Sequence, residues 1–278
     1  MTDAAFKRTI WAHYRRAGRM ALPWRHTRDP YAILVSEIML QQTQVARVEE
    51  YYKKFLKRFP DFAALARAKR SDVLKVWQGL GYNRRAMFLK RSAEIVVRQY
   101  GGRLPRDRAT LESLPGIGKG TSGSLMVFAF NKPEMFIETN IRRVFIHFFF
   151  KNRRKVTDAE LERHIQRSVD KKNAREWYWA VMDYGAGMMN AERSMKTTPL
   201  PNPNRRSAHY KKQSSFTGSD RELRGKILRS TLSTERNKIS VRALLRELDV
   251  PVARFKNIID RLEEEGFIVR KGSYICIK

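Results

Sequence analysis

Apolar residues recur along this chain at the three-to-four residue spacing of amphipathic helices, and the periodic stretches are separated by short Gly, Pro and Asp punctuation. The spacing predicts a first helix over Phe6 to Arg19, rich in Arg on its polar face. Asp29-Pro30 supplies a cap and a first helical residue for a second helix, Tyr31 to Ala46. Residues Tyr51 to Gln99 read as three helices, with breaks at Phe59-Pro60-Asp61 and at Gly79 to Asn83. Turns at Gly101-Gly102 and Leu104-Pro105 lead into a helical run, Thr110 to Ser113, which a Gly-x-Gly turn joins to a further apolar helix. Phe145 to Phe150 is almost wholly apolar and reads as core, Lys151 to Lys155 as a solvated loop, and Asn173 to Met189 as another helix.

The pattern then changes. Ser194 to Ser219 is rich in Pro, Asn, Ser, Lys and Arg, which suits a basic linker or an ordered coil wrapped over the domain before it. Beyond it come helices at Asp220 to Leu232, Ser240 to Leu248 and Val252 to Glu265. Two strands about Lys271-Gly272 follow, giving the pattern of a winged helix-turn-helix. The Val252 to Glu265 helix carries cations at Arg254, Lys256 and Arg261 and an acidic end, so groove reading and protein docking are both open to it. The expected organisation is a helical domain over 1–193, a linker over 194–219 and a small winged-helix domain over 220–278.

Charge narrows the partners. With 57 Lys+Arg against 28 Asp+Glu the formal net charge is +29, which calls for a polyanion, with nucleic acid ahead of an anionic membrane surface. A hydrophobic fraction of 42% is enough to build cores, so this is no disordered basic tail. The one cysteine, Cys276, excludes an intrachain disulfide and a cluster held by four thiolates of this chain, and no cofactor or metal is expected. No continuous apolar stretch reads as a signal peptide or membrane span. The expectation is an intracellular monomer, cytoplasmic and associated with the nucleoid of a prokaryote.

Two stretches carry candidate chemistry. Glu37 stands in the middle of the apolar run YAILVSEIMLQQTQVA, where burial would raise its pKa and suit it to act as a general acid; periodicity alone also allows a solvent-facing position. Leu114 to Val144 places Gly116 and Gly118 two residues apart ahead of Lys119, Gly120 and Thr121. The amides of such a turn and the start of the next helix favour an anion, for which a DNA phosphate is the first candidate. Eighteen residues beyond Gly120, Glu138 precedes Thr139, Asn140, Ile141, Arg142 and Arg143 at a helix start, where it is either an ordinary cap or a functional carboxylate.

Taken together, Leu22-Pro23-Trp24, SEIMLQQTQV, Gly79-Leu80-Gly81-Tyr82, LPGIGKGT and the Glu138 segment resemble the helix-hairpin-helix DNA glycosylases of the endonuclease III and adenine glycosylase (MutY) superfamily, over roughly Trp11 to Asn190. The resemblance implies a mainly helical glycosylase fold of two helical subdomains, binding double-stranded DNA that holds a mispaired or damaged base. It makes Glu37 the acid that protonates the base and Glu138 the carboxylate that attends the sugar. Trp24, Tyr82 and Asn140 fall in the substrate pocket, although Tyr82 also reads as a core aromatic at a loop corner. Leu40 and Gln42 fill the helix where the base leaves. Gly116, Gly118, Lys119, Gly120, Thr121, Arg142 and Arg143 lie on the DNA backbone.

The departures shape the expected activity. The family places Asp where this chain has Glu138. Lyase-capable relatives carry Lys two residues after the second hairpin glycine, where Gly120 stands here, and typical members continue into four cysteines that bind an iron–sulfur cluster. The resulting expectation is a monofunctional glycosylase of base excision repair acting on adenine in a mispair. The alternatives are the same chemistry on uracil, thymine or hypoxanthine, or a non-catalytic DNA-binding protein.

Overall fold

A computed structural model describes residues 1–194 and 202–278, with the backbone alone over 190–194. The protein is mainly helical, and its contacts divide it into two compact units that the chain enters more than once. Of the stretch expected to link domains, residues 195–201 lie outside the described residues.

Unit 1 takes in Met1–Glu37, Pro105–Ser113 and Ile117–Lys212. It holds α1 (Asp3–Ala17), a 3₁₀ turn at Pro23–Arg25, most of α2 (Pro30–Leu40), α7 (Arg108–Ser113), α8 (Lys119–Phe128), α9 (Thr139–Phe149), α10 (Asp158–Ser168) and α11 (Ala174–Ser194). Its core forms around Phe6, whose ring meets those of Phe145, Phe148, Phe149 and Trp177 at centroid distances of 5.1 to 5.9 Å. These are the apolar residues of the FIHFFF run and of α11, as the sequence led one to expect. Aromatic pairs at this range add to the area that they bury. One buried carboxylate, Asp183 on α11, accepts both guanidinium NH2 groups of Arg25 (2.8 and 2.7 Å) and the backbone and side chain of Arg19 (2.9 and 2.6 Å). Its pKa is lowered because these cations outweigh the desolvation that opposes them.

Beyond the undescribed residues, the basic segment up to Lys212 is an ordered strap within unit 1 that includes a 3₁₀ turn at Pro203–Arg206, and from Gln213 it belongs to unit 2. Val156 N–H donates to Arg206 C=O (2.7 Å), Ala208 N–H donates to Val156 C=O (2.8 Å), and the Asn204 amide donates to Thr139 C=O (3.0 Å).

Unit 2 takes in Ile38–Leu104, Leu114–Gly116 and Gln213–Lys278. Four helices, α3 (Val45–Arg58), α4 (Phe62–Arg67), α5 (Arg70–Trp77) and α6 (Arg84–Tyr100), occupy the stretch where three were expected, because the chain breaks also at Ala68-Lys69. The C-terminal part runs α12 (Asp220–Leu232), β1 (Lys238–Ser240), α13 (Val241–Leu248), α14 (Val252–Glu264), β2 (Ile268–Lys271) and β3 (Tyr274–Ile277). Its strands form an antiparallel sheet in the order β1-β3-β2, and β1 was not foreseen. Leu223, Ile227, Phe255, Ile258, Leu262 and Ile275 of this part share one apolar core with Leu74 of α5 and, at its margin, Met87 of α6.

The helix expected over Tyr31 to Ala46 is two helices, α2 and α3, parted by a turn in which Gln42 has φ of +56°. The cause is Arg85 of α6. Its buried guanidinium donates to the carbonyls of Ile38, Met39 and Gln41 and to Thr43 Oγ1 at 2.6 to 3.0 Å, satisfying the end of α2 in place of a further helical turn.

Candidate active site

In unit 1 the structure brings together two carboxylates. Glu37 rides on α2, half-buried, in a stretch where Leu34, Val35, Ile38 and Met39 are all buried. The Ser124 hydroxyl of α8 donates to Glu37 Oε2 at 2.5 Å. Burial lifts the Glu37 carboxyl to about 7, against the pull of the Ser124 hydrogen bond and with an added push from the Glu138 charge.

Glu138 is the N-cap of α9. Its Oε1 accepts from the backbone N–H of Asn140 (2.8 Å) and of Ile141 (3.1 Å), so its side chain folds back over its own helix start. Burial raises its pKa as well, opposed by those two amides and by Arg143 and Arg142. Close packing delivers the loop before it. A Cβ on Gly123 of α8 would stand 2.5 Å from the Cβ of Phe136, so glycine there lets the Phe136 to Glu138 segment lie against the helix, with Phe136 on the ring of Tyr178 at 4.5 Å.

Asn140 bridges Glu138 to the interior, with its Nδ2 3.4 Å from Glu138 Oε2 and its Oδ1 accepting from Arg143 at 2.6 Å. Arg142 and Arg143, expected on a DNA backbone, have other placements. Arg143 is buried and also donates to Gly185 C=O (2.8 Å), while Arg142 forms a two-pronged pair with Asp158 at 2.8 and 2.7 Å. Both cations brace α9 by bonds to the protein itself. Trp24 is buried beside Arg25, whose guanidinium covers the Trp179 ring at 5.1 Å.

The two glycines of the Gly-x-Gly turn have different backbone conformations. Gly116 has φ of +81°, and a Cβ on it would stand 2.9 Å from the Cβ of Phe88 in unit 2. Gly118 is extended with open space around it, and as N-cap of α8 it leaves the first amides of that helix without a side-chain cap. Lys119 is exposed at this start, and Gly120 and Thr121 follow half-buried. An uncapped helix start beside an exposed cation suits an anion.

In unit 2, Leu40 closes α2 half-buried and Gln42 is exposed on the turn that Arg85 holds. Arg85 also donates to the carbonyls of Leu80 and Gly81 (3.2 and 3.1 Å), so one guanidinium fixes both the Gln42 turn and the Gly-Leu-Gly-Tyr loop. Burial pulls Arg85 down to about 10, which leaves it charged at neutral pH. Tyr82 has φ of +48° and lies at the surface with 36% of its area exposed, so it is not a core aromatic. Arg85 and Arg221 stand 5.5 and 5.6 Å from its ring centroid, and its hydroxyl accepts from Arg221 and Gln213.

Sequence reading missed Ser124, Arg85 and Arg221. Each acts through a partner far along the chain, and no local pattern marks them. The sequence also holds a single thiol, Cys276 on β3, so the donor set of a four-thiolate iron–sulfur cluster does not exist in this chain.

Residues 35–171 match the model of the HhH-GPD superfamily base excision DNA repair protein. The chain is 37% identical over 190 residues to the adenine DNA glycosylase of Buchnera aphidicola subsp. Baizongia pistaciae, covering 67% of this chain and 53% of that protein, so it spans about half the length of that relative. It is 35% identical over 214 residues to the thymine/uracil-DNA glycosylase of Pyrobaculum aerophilum, covering 75% of this chain and 93% of that one. Among solved structures, a thermostable thymine-DNA glycosylase aligns with a TM-score of 0.62 at 31% identity, over 71% of this chain and 89% of that one. An endonuclease III in a non-covalent DNA complex aligns at 0.57 over 72% and 91%, with 17% identity, a likeness of fold.

Proposed function

The chain belongs to the HhH-GPD superfamily of base excision DNA repair proteins, and from that premise we propose that it is a monofunctional DNA glycosylase that removes adenine from a mispair. The observation that carries the reading is the pair of carboxylates brought together in unit 1, Glu37 bonded by Ser124 with its carboxyl lifted to about 7 and Glu138 capping α9 with its own raised.

Breaking an N-glycosidic bond sends the bonding electrons to the departing base and leaves positive charge on the sugar carbon. Glu37, half in its acid form near neutral pH, gives its proton to a ring nitrogen of the base, and the base leaves as a neutral molecule. Glu138 faces the cationic sugar carbon as a carboxylate until a water adds there, losing a proton to leave an abasic sugar. Two amides and Asn140 hold the orientation of Glu138. Leu40 and Gln42 take the space that the extruded base vacates, which offsets an unstacking cost of a few kcal/mol. Gly120 has no amine with which to form a Schiff base, so strand cleavage is not part of the reaction.

Adenine is favoured by SEIMLQQTQV, which resembles the adenine glycosylase signature, and by the relative of that name. Thymine or uracil in a mismatch is the second reading, favoured by a relative whose length the chain covers to 93%. Single-turnover excision on duplexes holding adenine opposite guanine, cytosine and 8-oxoguanine, and thymine, uracil or hypoxanthine opposite guanine, separates them. Adenine loss that appears as a strand break only after alkali is the expected result. Breaks confined to thymine or uracil duplexes select the second reading, and no break on any duplex overturns both.

A further inference from the structure

The family model ends at residue 171, which leaves the C-terminal elements α12 to β3 without an assigned role. Their charge is distributed unevenly. The buried stripe of α14 is Phe255, Ile258, Ile259 and Leu262, which turns Ala253, Lys256 and Asn257 outward in its first half. Arg242 and Arg246 are exposed on α13, and Lys271 stands at the two-residue turn between β2 and β3, which Gly272 opens with φ of +58°. None of these four cations has an ion-pair partner among the described residues.

Several acids of the same region are engaged, while Asp249 is exposed at the turn between α13 and α14. Asp260 and Glu263 pair with Arg270 (2.7 and 2.5 Å), Glu265 with Arg224 (2.7 Å), and Glu247 accepts from Ser230. Glu263 to Glu265 cluster at the far end of α14, so the helix is cationic where it begins and acidic where it ends. A polyanion is therefore admitted at the N-terminal half of α14 and repelled from the other end. Lys238 also lies over the half-exposed Tyr274 ring, 3.9 Å from its centroid, on the sheet that forms the hairpin.

We infer that α13, the first half of α14 and the β2–β3 hairpin form a second duplex-DNA surface, gripping backbone phosphates apart from the carboxylate site. Two successive helices followed by an antiparallel hairpin match the form in which a helix enters the major groove with a wing on the flanking backbone. The occupant is duplex DNA, because the charge is spread along a helix and a hairpin and the hairpin's exposed aromatic, Tyr274, is covered by Lys238, which leaves no row of open rings on which unstacked bases could lie.

The test is fluorescence anisotropy of the full chain on an undamaged 30-base-pair duplex across a salt series. The proteins are wild type, the triple variant Arg242→Ala/Arg246→Ala/Lys256→Ala, and Lys271→Ala alone. Each lost phosphate contact lowers the slope of log K against log salt by about 0.9, so the triple variant loses between roughly two and three, and Lys271→Ala about one. At 150 mM salt the triple variant binds on the order of tenfold or more weakly, with an unchanged Tm because the side chains are exposed. Slopes and affinities equal to wild type overturn the inference, including where the same variant loses binding to an acidic protein. The readout is binding to undamaged DNA, so it stands or falls independently of whether any base is excised.

Discussion

At the scale of single residues, the proposed chemistry depends on Glu37 and on what sets its proton. Ser124 donates to Glu37 Oε2 and so favours its carboxylate. Ser124→Ala removes that bond and raises the Glu37 pKa further. The limb on which excision falls with rising pH moves upward, by up to about one unit, as expected for a hydrogen bond to a charged group; a limb that stays in place or moves down contradicts the assignment. Glu138 has a different constraint, since Oε1 caps α9 through two amides. Asp is an equally good cap, so Glu138→Asp keeps thermal stability close to wild type while withdrawing the carboxylate by one methylene. A rate loss on the order of 10²-fold is expected from displacement of that size. A gain in rate means that the site is not fitted to Glu. Glu37 was legible as a candidate because a carboxylate interrupts an apolar run; its partner Ser124 was not, being 87 residues away in sequence.

Elements place these residues, and here the sequence was readable in part. The helices of the C-terminal part were found nearly to the residue, because Ser219 and Ser240 are side-chain caps and their apolar spacing is regular. The break after Leu40 was not, since the turn is imposed by Arg85 from α6 and the local spacing continues through it. Arg85→Ala leaves several buried carbonyls unsatisfied and costs on the order of 3 kcal/mol in urea unfolding. Arg85→Lys recovers only part of it, because an ammonium cannot span the same acceptors; equal stability of Arg85→Ala and wild type contradicts this. The two hairpin glycines also separate. Gly116→Ala meets both positive φ and Phe88, and is expected to destabilise by about 1 to 3 kcal/mol. Gly118→Ala, in extended backbone with open space, keeps stability within about 0.5 kcal/mol. Equal melting temperatures for the two variants would refute the distinction.

For the molecule as a whole, the chain forms two compact units and carries an excess of 29 positive charges, which suits it to a polyanion. The units interleave along the chain, with Leu114–Gly116 grouped apart from the residues on either side of it. Boundaries read from composition have no means of finding such an exchange, because it is decided by tertiary packing. The central claim is that Glu37 acts as an acid in glycosidic bond cleavage. Its most direct test is the pH dependence of single-turnover excision at saturating protein, for wild type and for Glu37→Gln, on the duplex that the base panel selects. A group lifted to about 7 is protonated below that pH and loses its proton above it. The wild-type rate is therefore expected to fall toward tenfold per unit above about 7, and Glu37→Gln to abolish excision while binding duplex as tightly as wild type. A rate that stays level from pH 6 to about 9, or a Gln variant that excises as fast as wild type, would contradict the account.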